Sequence, residues 1–149
     1  NKTFISSTFW TERIGYVAAL KTLEEMKKIK SWEILKSNGS KIKDLWKTLA
    51  EKSDLQCNIT GVDALPSLNF ENKENLKFKS FLTQEMLKQK ILASNVVFTS
   101  IFHSGKYLSE YKKALIPIFN KLAEFQKKED NIDNYLKGNV SNSGFGRLN

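Results

Sequence analysis

The spacing of apolar residues changes period midway through this chain, and that change limits the possible folds more than any other feature. Before residue 53, apolar residues recur every third or fourth position, the period of one helix face. Between residues 55 and 71 they alternate with polar residues, as in a strand with one buried side. The helical period then returns. Such a pattern predicts helices packed on a small sheet.

The first half of the chain predicts two helices. One runs from about Trp10 to Lys30, and its apolar face comprises Tyr16, Ala19, Leu20, Leu23 and Met26. The next begins near Ser31, a residue type favoured as an N-cap. Its apolar spacing stays in phase across Gly39, which predicts one continuous helix with a weak point at that glycine.

The second half predicts the sheet and the remaining helices. We expect two strands over 55–60 and 66–71, followed by a helix over 75–92 whose inward residues are Phe78, Phe81, Leu82, Met86 and Leu87. A third strand is expected at 96–98. A long helix over 107–128, kinked at Pro117, and a short helix over 130–136 follow. The fold class is α+β: a small antiparallel sheet of about three strands covered by helices, with long N-terminal and C-terminal helices. Residues 1–137 are predicted to form one domain and residues 138–149 a flexible tail.

Composition excludes several classes of protein. The chain has 149 residues and a net charge of +8, but Arg13 and Arg147 are its only arginines. The lysines are scattered and mixed with glutamate, which favours solvated helix faces over a nucleic-acid surface. No signal peptide or membrane-spanning run is visible. A single cysteine is typical of a cytoplasmic protein, and a start at Asn1 suggests excision from a longer chain.

Few residues suggest chemistry. One histidine and one cysteine, far apart, predict no metal site. Cys57 is expected to be a small buried hydrophobe, and His103 a loop residue with a structural hydrogen bond. The acidic pairs 24–25 and 129–130 look like exposed helix-end charges. We therefore assign no catalytic residue.

A cluster of hydroxyl side chains, Ser6, Ser7 and Thr8, precedes the first predicted helix. The N-terminus of a helix carries unpaired N–H groups and a partial positive charge. Such a cluster either caps the helix or helps it to hold an anion such as phosphate. From the residues alone both interpretations stay open.

The order Ser7-Thr8-Phe9 followed by the helix 18–24 resembles the start of the C-terminal small domain of class III pyridoxal-phosphate-dependent aminotransferases, especially the glutamate-1-semialdehyde aminotransferase-like branch. The resemblance implies that Thr8 binds the phosphate of pyridoxal phosphate held by the neighbouring subunit, with Ser7 contributing through its backbone. Residues 10–13, Trp-Thr-Glu-Arg, replace the family's usual Ser-Gly-Asn-Pro. That departure points to a related sub-branch rather than to true glutamate-1-semialdehyde activity.

The resemblance continues to about residue 125. A helix leads to a strand that ends in Thr60-Gly61, Phe81 and Met86 match a later helix, and residues 100–103 match a Ser-x-x-His loop. The family's Schiff-base lysine, the aspartate that pairs with the pyridine nitrogen, and the aromatic residue stacked on the ring belong to a large domain upstream.

The resemblance therefore implies the C-terminal domain of a cytoplasmic, homodimeric aminotransferase or aminomutase, covering the active site and inactive alone. Its partners would be the large pyridoxal-phosphate-binding domain of the same chain and a second subunit, with no nucleic acid and no membrane. The cofactor would not bind stably to this part. The alternative is a free-standing, non-enzymatic basic α+β module that binds an acidic partner through its lysine faces.

Overall fold

A computed structural model describes residues 12–142 of the protein. The chain divides into two compact units, the first ending at Glu33 and the second beginning at Ile34. Among the described residues the fold is α+β, as predicted, with four α-helices and one small antiparallel sheet.

Helix α1, Arg13–Lys28, forms where the helical spacing predicts it, within slightly narrower limits. Ion pairs join Lys21 to Glu24 at 3.2 Å and to Glu25 at 3.1 Å. No residue of α1 is buried, and the apolar face defined above is exposed along its whole length. Acidic residues 24–25 are exposed, as expected.

Helix α2, Ser31–Ser53, is continuous through Gly39, which confirms the prediction of one helix across that glycine. Ser31 does not act as the predicted N-cap, because its buried hydroxyl has no hydrogen-bond partner between residues 12 and 142. The helix buries Ile42, Leu45, Trp46, Leu49 and Ala50 in the core of the second unit.

Strands β1, Cys57–Thr60, and β2, Ser67–Phe70, pair antiparallel, as predicted. The register sets Cys57 opposite Phe70 and Thr60 opposite Ser67. Buried and exposed side chains alternate along β2, where Leu68 and Phe70 are buried and Asn69 is exposed.

The predicted third strand is reduced to one isolated bridge, between Ser67 and Val96. Three backbone bonds hold this segment to the chain around β2: Leu68 N to Asn95 O at 2.7 Å, Val97 N to Pro66 O at 3.1 Å and Thr99 N to Ala64 O at 3.0 Å. The next bond of a regular ladder would run from the N–H of residue 66 to Val97 O. Proline has no N–H, so the ladder lacks this bond and only the one bridge is regular.

Helix α3, Asn75–Lys88, ends earlier than predicted. Lys90 takes a left-handed conformation (φ 61°), which a helix cannot continue through. Phe78, Phe81, Leu82 and Met86 are buried, as expected, whereas Leu87 is exposed.

Helix α4, Gly105–Gln126, contains Pro117, and the predicted short helix is one 3-10 turn, Ile132–Asn134. The core of the second unit lies between α2, β2, α3 and α4, around the fully buried side chains of Trp46, Leu68, Phe78, Phe119 and Leu122. Trp46 Nε1 donates to Tyr111 Oη at 3.1 Å and so ties α2 to α4.

Asp130 differs from the expectation of an exposed helix-end charge. Its carboxylate accepts bonds from Lys121 Nζ at 2.5 Å and from Tyr135 Oη at 2.6 Å. Together with the peptide N–H of Asn131, these bonds lower the pKa of Asp130 to about 2. The residue therefore anchors the segment after α4 to that helix.

Candidate functional site

The residues that sequence reasoning assigns to a cofactor, Ser7 and Thr8, lie outside the described part of the chain. The description starts at Glu12, whose backbone is extended and whose side chain makes no capping bond to α1. The phosphate-binding role of Thr8 and Ser7 therefore stays a prediction.

The loop before α4 is held by its own polar groups. The backbone N–H of Ser100 donates to His103 Nδ1 at 3.2 Å, and the backbone N–H of Phe102 donates to Ser100 Oγ at 3.2 Å. His103 is thus the loop residue with a structural hydrogen bond that the sequence predicts. Because Nδ1 accepts, the neutral ring carries its proton on Nε2.

Contacts from other parts of the second unit fix the same loop in place. Asn38, buried on α2, donates from Nδ2 to Ser100 O at 3.1 Å. Thr99 Oγ1 donates to Asp63 O at 3.0 Å. The Asp63 carboxylate in turn forms an ion pair with Lys43 Nζ at 2.9 Å. A loop anchored at several points presents its side chains in one arrangement, as a binding surface requires.

A half-open cavity of about 640 Å³ lies beside this loop. It is bordered mainly by apolar side chains from α2, α3, α4 and residues 91–103, among them Ile42, Ile91, Val96, Val97, Phe98, Leu108 and Tyr111. Cavities of this size suit small ligands or the side chains of another polypeptide. Sequence reasoning did not find it, although one signal exists: residues 91–105 contain no charged side chain.

Cys57 lies half-buried on β1. The pKa of the Cys57 thiol is raised to about 11, mainly by burial and secondly by the negative charge of the nearby Glu71 carboxylate. A thiol with a raised pKa is a poor nucleophile near neutral pH. The expectation of a structural cysteine agrees with this environment, although the side chain is only partly buried.

Other kinds of site are limited within the described residues. Between residues 12 and 142, no three His, Cys, Asp or Glu side chains are grouped so that they could bind a metal ion. Over the same residues, no helix combines the length and apolarity that crossing a membrane requires.

Two solved structures share the fold of this chain. The fold is similar to that of FumI from Sphingopyxis sp. MTA144, solved as its PLP internal aldimine, with a TM-score of 0.73, 20% identity and coverage of 84% of this chain and 31% of that one. It is also similar to an omega-transaminase from Sphaerobacter thermophilus, with a TM-score of 0.63, 12% identity and coverage of 82% and 30%. No family model matches the chain.

In sequence, the chain is similar to the 3-aminobutyryl-CoA aminotransferase of Cloacimonas acidaminovorans (strain Evry), with 29% identity over 105 residues. That match covers 70% of this chain and 25% of the relative, so the chain spans about a quarter of its length. The resemblance to pyridoxal-phosphate-dependent aminotransferases is therefore confirmed.

The described lysines do not fit a Schiff-base site. None of them is buried. Carboxylate partners raise the pKa of Lys77, Lys121 and Lys127, chiefly through hydrogen bonds that these lysines donate to Asp133, Asp130 and Asp54 respectively. A lysine that attacks an aldehyde at neutral pH needs a lowered pKa, which burial or a nearby positive charge provides. Between residues 12 and 142, no lysine has the burial that would lower its pKa in this way.

Proposed function

We propose that this chain is the C-terminal small domain of a pyridoxal-phosphate-dependent aminotransferase or aminomutase of the glutamate-1-semialdehyde aminotransferase-like branch. The observation that carries the proposal is that the chain is similar in sequence to an aminotransferase and similar in fold to an omega-transaminase and to a protein solved as its PLP internal aldimine. The parent enzyme would move an amino group between an amino acid or amino sugar and a carbonyl compound, or within one molecule.

In that enzyme the cofactor would be held by a large domain of the same chain, and this domain would cover the active site and contribute to a homodimer. Pyridoxal phosphate, when bound, supplies the electron sink for breaking bonds at the amine-bearing carbon. On this side of the site, the Thr8 hydroxyl would donate to the phosphate of the neighbouring subunit, and the Ser7 backbone would assist. The partial positive charge at the start of α1 supports an anion at that position.

The domain would be inactive alone. None of its described lysines is buried, and carboxylate partners raise the pKa of Lys77 and Lys127. This supports the proposal that the Schiff-base lysine belongs to the large domain. A single, half-buried cysteine agrees with a cytoplasmic enzyme.

Helix α1 offers a surface for the large domain. Its apolar face, formed by Tyr16, Ala19, Leu20, Leu23 and Met26, is exposed, while ion pairs occupy the opposite side. Packing of an amphipathic face supplies most of the stability of a helix of this length. We assign the surface to contact with the large domain because this chain matches only 25% and 31% of the lengths of the relatives found by sequence and by fold.

The alternative, a basic module for an acidic partner, has less support. Many lysines are already paired with carboxylates of the same chain, including Lys21, Lys43, Lys77, Lys121 and Lys127. Such pairing reduces the positive potential that would attract an acidic partner.

The test is to express the gene with its full upstream reading frame and to measure pyridoxal phosphate binding by absorbance. Thr8→Val should weaken cofactor binding about tenfold or more, because it removes a hydrogen bond to a charged phosphate. Thr22→Val is the matched control, since Thr22 Oγ1 donates to Ala18 O within α1. It should leave cofactor affinity unchanged.

Two results would contradict the proposal. One is an upstream sequence without a lysine-bearing large domain. The other is borohydride-trapped pyridoxal phosphate on the 149-residue chain itself, which would place the Schiff-base lysine here.

A further inference from the structure

The segment 95–99 has one side bonded to the chain around β2 and one side open. The bonded side uses Asn95 O and the N–H groups of Val97 and Thr99. In an antiparallel arrangement, bonding groups alternate between the two sides of a strand. The backbone N–H and C=O groups of Val96 and Phe98 therefore point away from β2, and they bond to no residue between 12 and 142.

This open edge lacks the features that usually prevent pairing. Natural edge strands are commonly protected by lysine, other charges, proline or a covering element. Residues 91–105 contain no charged side chain, although charged residues make up 27% of the chain. Leu92 is 91% exposed and Phe98 80%. An uncharged edge with exposed apolar side chains is a template for another strand.

The cavity described above lies against the same edge, because Val96, Val97 and Phe98 all border it. Recognition by strand addition combines main-chain bonds along an edge with pockets for side chains of the added strand. Both parts are present here. The anchored loop before α4 holds them in a fixed arrangement.

The size of the edge favours a partner segment that belongs to the same polypeptide. Stable interfaces between separate proteins bury about 1,200–2,000 Å², whereas a five-residue segment such as 95–99 extends for only about 17 Å. A contact this small is strengthened by a covalent link, which gives the tethered segment an effective concentration in the millimolar range. This chain covers only 25% of the relative matched in sequence and 31% of FumI, so a longer parent has ample chain to supply the segment.

Building on the proposed function, we infer that an extended segment of the large domain of the same chain adds to this edge as a strand. Its backbone bonds to the N–H and C=O groups of Val96 and Phe98, and its apolar side chains enter the cavity. This contact is additional to the one assigned to the apolar face of α1, and it involves the second unit.

Amide hydrogen exchange tests the inference by comparing the product of the full upstream reading frame with the 149-residue chain. The N–H groups of Val96 and Phe98 should exchange at least about tenfold more slowly in the full-length enzyme, because they gain backbone hydrogen bonds there. The slowing should not depend on protein concentration. The N–H groups of Val97 and Thr99, already bonded within this chain, should change less.

A variant at the edge gives a second measurement. Phe98→Lys in the full-length enzyme should restore fast exchange at Val96, because it places a charge on the edge that the added strand needs. Phe98 is exposed in this chain, so the substitution should have little effect on the folding of the 149-residue chain. Val62→Lys is the matched control, at a site 69% exposed and outside the cavity, and it should keep the slow exchange.

Pyridoxal phosphate binding by the same samples separates failure of this inference from failure of the proposed function. A full-length enzyme that binds the cofactor but exchanges Val96 and Phe98 as fast as the 149-residue chain would overturn the inference alone. Slowing that grows with protein concentration would overturn it as well, since the partner would then be a second copy. So would slow exchange that persists in Phe98→Lys. An upstream sequence without a large domain would overturn both proposals.

Discussion

Gly39 illustrates what a sequence pattern can miss at the scale of one residue. Its place in the middle of α2 is correctly predicted, and a helical glycine costs about 1 kcal/mol relative to alanine. The spacing indicates a weak point. The structure shows a close approach, because a Cβ atom at Gly39 would lie 1.6 Å from Asp63 O. The reason for the glycine lies in a turn distant in sequence.

Gly39→Ala should therefore destabilise the protein, in spite of alanine's better helix propensity. The added methyl group displaces the turn at Asp63, and overpacking of this kind costs about 1–3 kcal/mol. Gly15→Ala is the matched control, because nothing lies within 4 Å of a Cβ atom at that position of α1. Urea unfolding followed by circular dichroism measures both. Equal stability of Gly39→Ala and the unmodified chain would show that the turn yields without cost.

The candidate functional residues also differ in how much of their role local sequence predicts. His103 has the structural bond that the sequence predicts, because a histidine in a short polar loop finds partners nearby. Ser7 and Thr8 are assigned by resemblance, and their predicted role depends on a cofactor and a neighbouring subunit that local sequence does not describe. Their assignment stays a prediction.

At the scale of secondary-structure elements, the spacing of apolar residues predicts the four helices and the β1–β2 pair, but it predicts their first and last residues poorly. The predicted third strand is reduced to one bridge because Pro66, on the facing segment of the same chain, has no N–H to donate. Helix α3 ends before its predicted limit because Lys90 turns left-handed. Both causes are single backbone features, and an apolar period carries no information about either.

The segment that follows α4 depends on an electrostatic contact with that helix. Asp130 accepts from Lys121 and Tyr135, and its folded pKa of about 2 lies below its ordinary value of 3.8. A lowered folded pKa means that the contact stabilises the protein above about pH 4. This stabilisation is lost as pH falls from about 4 to 2 and the carboxylate is protonated.

Asp130→Asn should therefore lower stability at pH 6 and should narrow the difference from the unmodified chain as pH falls toward 2. Urea unfolding over a pH series checks this. Glu129→Gln serves as the neighbouring control, since Glu129 is exposed and outside the Lys121 contact. A difference between Asp130→Asn and the unmodified chain that stays constant from pH 6 to pH 2 would contradict the linkage.

At the scale of the whole molecule, an α+β fold follows from the order of helical and alternating periods, but the exposure of its apolar surfaces does not. The period of α1 is as regular as that of α2, yet α2 buries its apolar face and α1 buries no residue. Periodicity shows that a face is apolar. It does not show whether the contact that covers that face lies in the same chain or elsewhere.

Hydrogen exchange on the whole chain tests this difference. A helix of 16 residues without a buried side chain is marginal in water, so the amides of Leu20 and Leu23 should exchange far faster than those of Trp46 and Leu122. In the proposed parent enzyme the same α1 amides should become protected, because its large domain would cover the apolar face. Strong protection of α1 in this chain alone would mean that its helix needs no further partner, and the proposed contact with the large domain would fail.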